Sequence, residues 1–160
     1  MAVFILSTDG RDEDVVEAFR SYESYLRSHR ANFPPSAYAL ATSDWYFGNS
    51  DHRAPHDAWL ESAEFTEPSA GQGRENRQLS LTVRLLGAYQ DGFIELHYPQ
   101  VFAYTLDMQD SAAGHRDWRY DELRLSENGP LIHEIEWHYA GPTGRWLIEA
   151  TDVTHRWIPF

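Results

Sequence analysis

The sequence predicts an α+β domain in which an N-terminal strand and helix pack on a curled, mostly antiparallel sheet of about seven or more strands. Three observations carry this expectation. Apolar residues recur at helical spacing only near the N-terminus. Apolar and polar residues alternate with period two through much of the remainder. Hairpin-type turn signals stand where a parallel sheet would need crossover helices. A length of 160 residues suits one domain with one core, residues 1–50 forming the strand-and-helix part and residues 56–158 the β part.

Residues 3–7 are a short apolar run, expected as a buried strand that Thr8, Asp9 and Gly10 terminate. A helix should follow, with Asp9 as N-cap and Asp12, Glu13 and Asp14 in its first turn, where the helix dipole favours negative charge. Val15, Phe19, Tyr22 and Leu26 define its apolar stripe, and Glu23 and Arg27 form an i,i+4 pair. Pro34 and Pro35 stop it, and a short second helix is expected to begin near residue 36. Residues 48–55 are rich in turn formers.

From residue 57 the chain predicts strand after strand. Residues 58–65 form the first, and 67–77 a long polar connection containing glycine. Leu79, Leu81, Val83 and Leu85 alternate with Ser80, Thr82 and Arg84, a clear strand period. Strands at 93–98 and 101–106 follow the turn signal Asp91-Gly92, and strands at 118–125 and 131–139 flank Asn128-Gly129. Residues 146–151 and 155–158 complete the set after the turn at Gly141 to Gly144.

Composition then removes whole chemistries. The hydrophobic share of 42% and aromatic share of 14% describe a folded chain with ample core. A formal net charge of −12, with no basic stripe, argues against nucleic acid, whose phosphates demand clustered cations. There is no cysteine, which excludes disulfides, thiolate catalysis and thiolate-held metals. There is no lysine, which excludes Schiff-base chemistry and a P-loop lysine. No basic-then-apolar leader and no membrane-length apolar run are present, so the expected compartment is the cytoplasm and no membrane partner is implied. No cofactor motif occurs, and no cofactor is expected.

The most informative pattern is glutamate inside apolar strands: Glu95, Glu122, Glu134, Glu136 and Glu149. Alternation sets Glu95 and His97 opposite Ile94, Leu96 and Tyr98, and sets Glu134, Glu136 and His138 opposite Leu131, His133, Ile135 and Trp137. It groups Glu122 with Trp118, Tyr120 and Arg124. If these strands are neighbours, Glu95, Glu122, Glu134 and Glu136 are candidate general acid–base groups. Trp118, Tyr120 and His138 are then candidate binding residues on the same face. The commoner arrangement is a solvated face on which glutamates pair with Arg84, Arg124 and Arg145 across strands.

Asp51-His52-Arg53-Ala54-Pro55-His56-Asp57 is a second constellation, with His56 and Asp57 as candidate binding residues and His52, His56 and Asp57 as candidate metal ligands. Pro55 makes it a loop and removes the fixed geometry that a helix would supply, so a metal is not favoured. His133 and His138 are five apart on a strand and fall on opposite faces, unlike a helical zinc-protease motif. The run from His115 to Glu122 is dense in charged and aromatic groups. Arg116 and Arg119 could hold an anionic ligand there, but the run is expected chiefly as a loop-to-strand transition with local salt bridges.

The segments Pro55-His56-Asp57-Ala58-Trp59, Leu86-Gly87-Ala88-Tyr89-Gln90-Asp91-Gly92, Asp117-Trp118-Arg119-Tyr120-Asp121-Glu122 and Ile132-His133-Glu134-Ile135-Glu136-Trp137 give the chain a family likeness. It resembles small uncharacterised bacterial β-rich proteins with a His-Asp-Ala segment, some of them immunity proteins that neutralise a toxin. That resemblance implies a non-enzymatic protein-binding module. The acidic, aromatic composition implies a basic protein partner, met by a monomer or homodimer. The alternative is a small-molecule or metal-dependent enzyme with its carboxylates and histidines on one sheet face.

Overall fold

The computed structural model describes residues 3–7, 14–109 and 112–160. Helix α1 spans Val15–Ser28 and buries Ala18, Tyr22 and Leu26, three positions at i,i+4 spacing. Its N-cap is Asp14, whose side chain accepts from the Glu17 amide at 3.1 Å. The expected cap Asp9, with Asp12 and Glu13, lies outside the described residues. Arg27 donates to Ser24 at 3.2 Å instead of pairing with Glu23. Helix α2 spans Pro35–Ala41. Its orphan amides at Ser36 and Ala37 are capped from far along the chain by the Asp152 carboxylate, at 3.3 and 2.8 Å.

The expected N-terminal strand is a turn. Phe4 to Ser7 closes on a Ser7 amide to Phe4 carbonyl bond of 3.3 Å. The physical reason is a single acceptor: Glu122 Oε1 takes the amides of both Phe4 and Leu6, at 2.7 and 2.6 Å. One oxygen serving two amides two residues apart requires the backbone to curl around it. Ile5 and Leu6 are nonetheless buried, so the apolar run has its expected environment without the expected ladder.

Among the described residues ten strands follow: β1 Trp59–Thr66, β2 Ser69–Ala70, β3 Asn76–Arg77, β4 Ser80–Leu86, β5 Gly92–Tyr98, β6 Val101–Leu106, β7 Trp118–Leu125, β8 Leu131–Trp137, β9 Gly144–Ala150 and β10 Thr154–Pro159. All pairings are antiparallel, and the α+β class read from the sequence is the class observed. The strands divide between two sheets, one ordered β1-β4-β5-β10 and the other β6-β9-β8-β7, with β2-β3 a separate two-stranded ladder. That short ladder extends the β1–β4 hairpin into an exposed arm where the sequence predicts a polar connection. Gly92 opens β5 because Trp157 of β10 lies across it: a Cβ there would come within 2.5 Å of the indole.

The inner faces of the two sheets form one apolar cluster, with Leu81, Val83, Leu85, Ile94 and Leu96 from the first and Leu131, Ile135, Trp146 and Ile148 from the second. A β-bulge between Trp118 and Tyr120 alters one expected face. It turns Trp118 inward against Trp137 and His133, away from Tyr120, Glu122 and Arg124.

Polar groups cross this core in one connected chain. Tyr46 Oη donates to Asp121 Oδ2 at 2.8 Å, and Trp118 Nε1 donates to Asp121 Oδ1 at 3.1 Å. His133 Nε2 lies 2.8 Å from Asp121 Oδ2, and its Nδ1 lies 2.7 Å from Tyr98 Oη in the facing sheet. A neutral imidazole satisfies every member: Nε2–H donates to the carboxylate, and Nδ1 accepts from the tyrosine. Asp121→Ala leaves three buried donors without an acceptor. Its expected cost in urea unfolding is about 3 kcal/mol or more, against about 1 kcal/mol for Tyr46→Phe. A loss of under about 1 kcal/mol for Asp121→Ala would show that the network does not support the fold.

Candidate functional site

The structure separates the glutamates that alternation groups together. Glu95 stands on the outer face of the first sheet, between Arg84 at 2.5 Å and Arg156 on the neighbouring strand. Glu122, Glu134 and Glu136 stand on the outer face of the second sheet, on the far side of the core. The three do not form an open acid–base floor. Arg124 reaches both Glu122, at 3.2 Å, and Glu134, while Arg145 lies 3.7 Å from Glu134 and 3.0 Å from Glu136. Cross-strand glutamate–arginine pairing is therefore the arrangement adopted, on both sheets.

Glu122 has the further task of holding the N-terminal turn, and Arg145 assists by donating to the Leu6 carbonyl at 3.3 Å. Burial pushes the Glu122 carboxyl above its ordinary range, and it outweighs the backbone amides and Arg124, which act the other way. Glu95 behaves oppositely: hydrogen bonds from Arg156 and then Arg84 hold it below the ordinary range.

The two polar constellations singled out in the sequence meet at one end of the sandwich. The Asp57 amide donates to the Trp118 carbonyl at 2.7 Å, and the Trp118 amide to the Ala58 carbonyl at 3.0 Å. Arg119 Nη1 donates to Asp57 Oδ1 at 2.6 Å, and Trp59 Nε1 donates to Asp117 Oδ1 at 2.8 Å. His56 donates through Nδ1 to the Arg119 carbonyl at 2.7 Å and packs near Tyr120. Two of the four described non-glycine residues with positive φ lie here, Asp57 at 62° and Arg116 at 68°. Strained backbone held in place by several bonds is a recurrent property of ligand sites.

The remaining candidates disperse. His52 turns away to Asp91, at 2.5 Å, and stacks on Tyr89, so it does not join His56 and Asp57. Among the described residues no group of three or more histidine and carboxylate side chains is arranged to hold a metal ion. His138 bonds Thr143 at 3.1 Å, separate from Glu134 and Glu136. Trp118 is buried in the core and serves Asp121.

Sequence reasoning missed one surface. Strands β1 and β6 are edges of different sheets, and they meet where Phe65 and Tyr104 pack with ring centroids 4.6 Å apart. Phe65, Phe102 and Tyr104 remain 38%, 53% and 49% exposed. The available signal was negative: Trp59-Leu-Glu-Ser-Ala-Glu-Phe lacks a consistent apolar face, as expected of a strand that gives the core little beyond Leu60. No protein-family model matches the chain, and no curated protein or solved structure does either.

The two clamped glutamates predict opposite pH behaviour. A lowered carboxylate contributes stability above its unfolded value and loses it as pH falls, so Glu95→Gln should cost more near pH 7 than near pH 3. A raised carboxylate contributes most below its unfolded value and loses that contribution as pH rises. The difference between wild type and Glu122→Gln should therefore shrink from about pH 4 to about pH 7. Urea unfolding from about pH 3 to about pH 7 checks both; parallel pH trends for the two variants would contradict the assignment.

Proposed function

We propose that this chain is a non-enzymatic, cytoplasmic protein-binding module, immunity-like in type, that engages a basic protein partner along the β1/β6 seam. The observation that carries the reading is the contrast between the two seams of the sandwich. On the β7/β10 side, α2 packs against both edge strands. There α1 also supplies tyrosine hydroxyls to the edge: Tyr22 bonds the Leu123 amide and carbonyl, and Tyr25 accepts from the Leu125 amide. Among the described residues no helix packs broadly on the β1/β6 side, and aromatic side chains stand in solvent. Exposed aromatics beside an unpaired strand edge supply the anchors and the backbone hydrogen bonds that partner proteins use.

Charge decides the partner's chemistry. Glu61 and Glu64 stand exposed on β1, in a chain of net charge −12, while Glu67 beyond its end pairs with Arg77 at 3.9 Å. A basic strand or loop gains from that field, whereas two copies pairing through β1 would bring their own glutamates together. The seam therefore favours a basic partner over self-association.

The test places a photo-crosslinking amino acid at position 63, exposed and on the same strand face as Phe65, in the otherwise wild-type chain and in Phe65→Ser/Tyr104→Ser, each in extract of the native host. The expected result is one basic protein crosslinked by wild type, lost in the double variant and weakened by added salt. Both side chains are partly exposed, so the variant should keep the wild-type melting temperature. A partner retained by the double variant, or crosslinks only between copies of this chain, would overturn the reading.

A further inference from the structure

The end of the sandwich where β1 and β7 begin holds a cavity of about 690 Å³ that the seam does not use. That volume lies within the ~300–1,000 Å³ typical of small-molecule sites. Its walls include Asp57, Trp59, His115, Arg116, Asp117 and Tyr139. Trp59 and Tyr139 are large aromatics left 49% and 66% exposed, facing a concavity rather than a partner element. The backbone on two sides is held in the left-handed region, at Asp57 and Arg116.

Charge and shape together define what fits. Asp57 and Asp117 disfavour an anion. Arg116, whose guanidinium lies 5.9 Å from the Tyr139 ring centroid, disfavours a cation. A neutral ligand carrying both donors and acceptors meets carboxylates and guanidinium alike. The aromatic faces select a ligand with an apolar side as well, to be removed from water on contact. A sugar ring has this combination, with C–H groups on its face and hydroxyls around its rim.

We propose that this cavity is a binding site for a neutral saccharide, with Trp59 and Tyr139 as the stacking surfaces and Asp57, Arg116 and Asp117 as the hydroxyl-binding groups. The orientation of the Trp59 ring is set by its indole N–H bond to Asp117, so one carboxylate both positions the platform and lines the site. Arg119, paired with Asp57 from behind, fixes the second carboxylate. The site is separate from Phe65 and Tyr104 and does not rest on the partner-binding reading.

The experiment is saturation-transfer difference NMR on the full chain with glucose, galactose, mannose, N-acetylglucosamine, maltose and cellobiose, each at about 20 mM, a concentration suited to millimolar affinities. At least one sugar should receive saturation at its ring C–H protons and should shift the Trp59 indole N–H resonance. Trp59→Ala should weaken that binding about tenfold or more, as should Asp117→Asn, while Phe65→Ser/Tyr104→Ser leaves it unchanged. An amide spectrum like that of wild type shows that each variant is folded. Three results would each overturn the proposal: no transfer to any of the six sugars, transfer undiminished in Trp59→Ala, or a larger indole shift with methylguanidinium or acetate than with any sugar.

Discussion

One carboxylate organises the interior. Asp121 accepts from Tyr46 in the helical part, from Trp118 on its own strand and from His133 on the next, and His133 passes the connection to Tyr98 in the opposite sheet. Each of these side chains is essentially removed from solvent. In such surroundings an unpaired polar group costs far more than a paired one returns, so all four contacts must form together or the inner faces must separate. Burial also raises the tyrosine hydroxyls of Tyr46 and Tyr98 well above their ordinary values, with the Asp121 charge adding to the effect. They remain protonated donors throughout the usual pH range. The relative placement of the two sheets and the segment after α2 thus depends on hydrogen bonds of defined direction, where apolar packing by itself would tolerate sliding.

The same constraint explains how the rim of the sandwich is finished. An open pair of sheets leaves four edge strands, and each edge carries backbone groups that need partners. Along β7 the partners are tyrosine hydroxyls from α1, a device that lets a helix satisfy a strand without becoming part of the sheet. Asp152 completes the exchange by capping α2 from the β side. The helices are thus not an appendage to the β part but the cover of one seam. The other seam is finished with exposed aromatics and glutamates.

The outer faces show why charged residues in strands are an ambiguous signal. Alternation correctly sorts Glu95 from Leu96 and Glu134 from Ile135, because the pleat imposes it on any strand. It says nothing about which strands become neighbours. Glu95 belongs to one sheet and Glu122, Glu134 and Glu136 to the other, and a single extra residue at the Trp118/Tyr120 bulge moves Trp118 to the inner face. In contrast, the Asp57 and Asp117 neighbourhoods, sixty residues apart in sequence, come together through backbone and side-chain bonds at the start of β1 and β7.

Local physics was legible in the residues themselves. Helical spacing placed α1, although it ends at Ser28, ahead of Pro34, and Pro35 opens α2; period-two alternation placed the central strands, and Asn128-Gly129 marked a tight turn whose glycine adopts φ +100°. These features depend on contacts between residues close in the chain, and the side-chain pattern encodes them directly. The division into two sheets, the turn at Phe4 to Ser7, the Tyr46–Asp121–His133–Tyr98 chain and the bare β1/β6 seam depend on groups that folding brings together from distant positions. Pairing among strands of similar pattern is degenerate in sequence. It is resolved only when one arrangement brings the buried donors and acceptors of the Tyr46–Asp121–His133–Tyr98 chain together at once, which is a property of the tertiary structure.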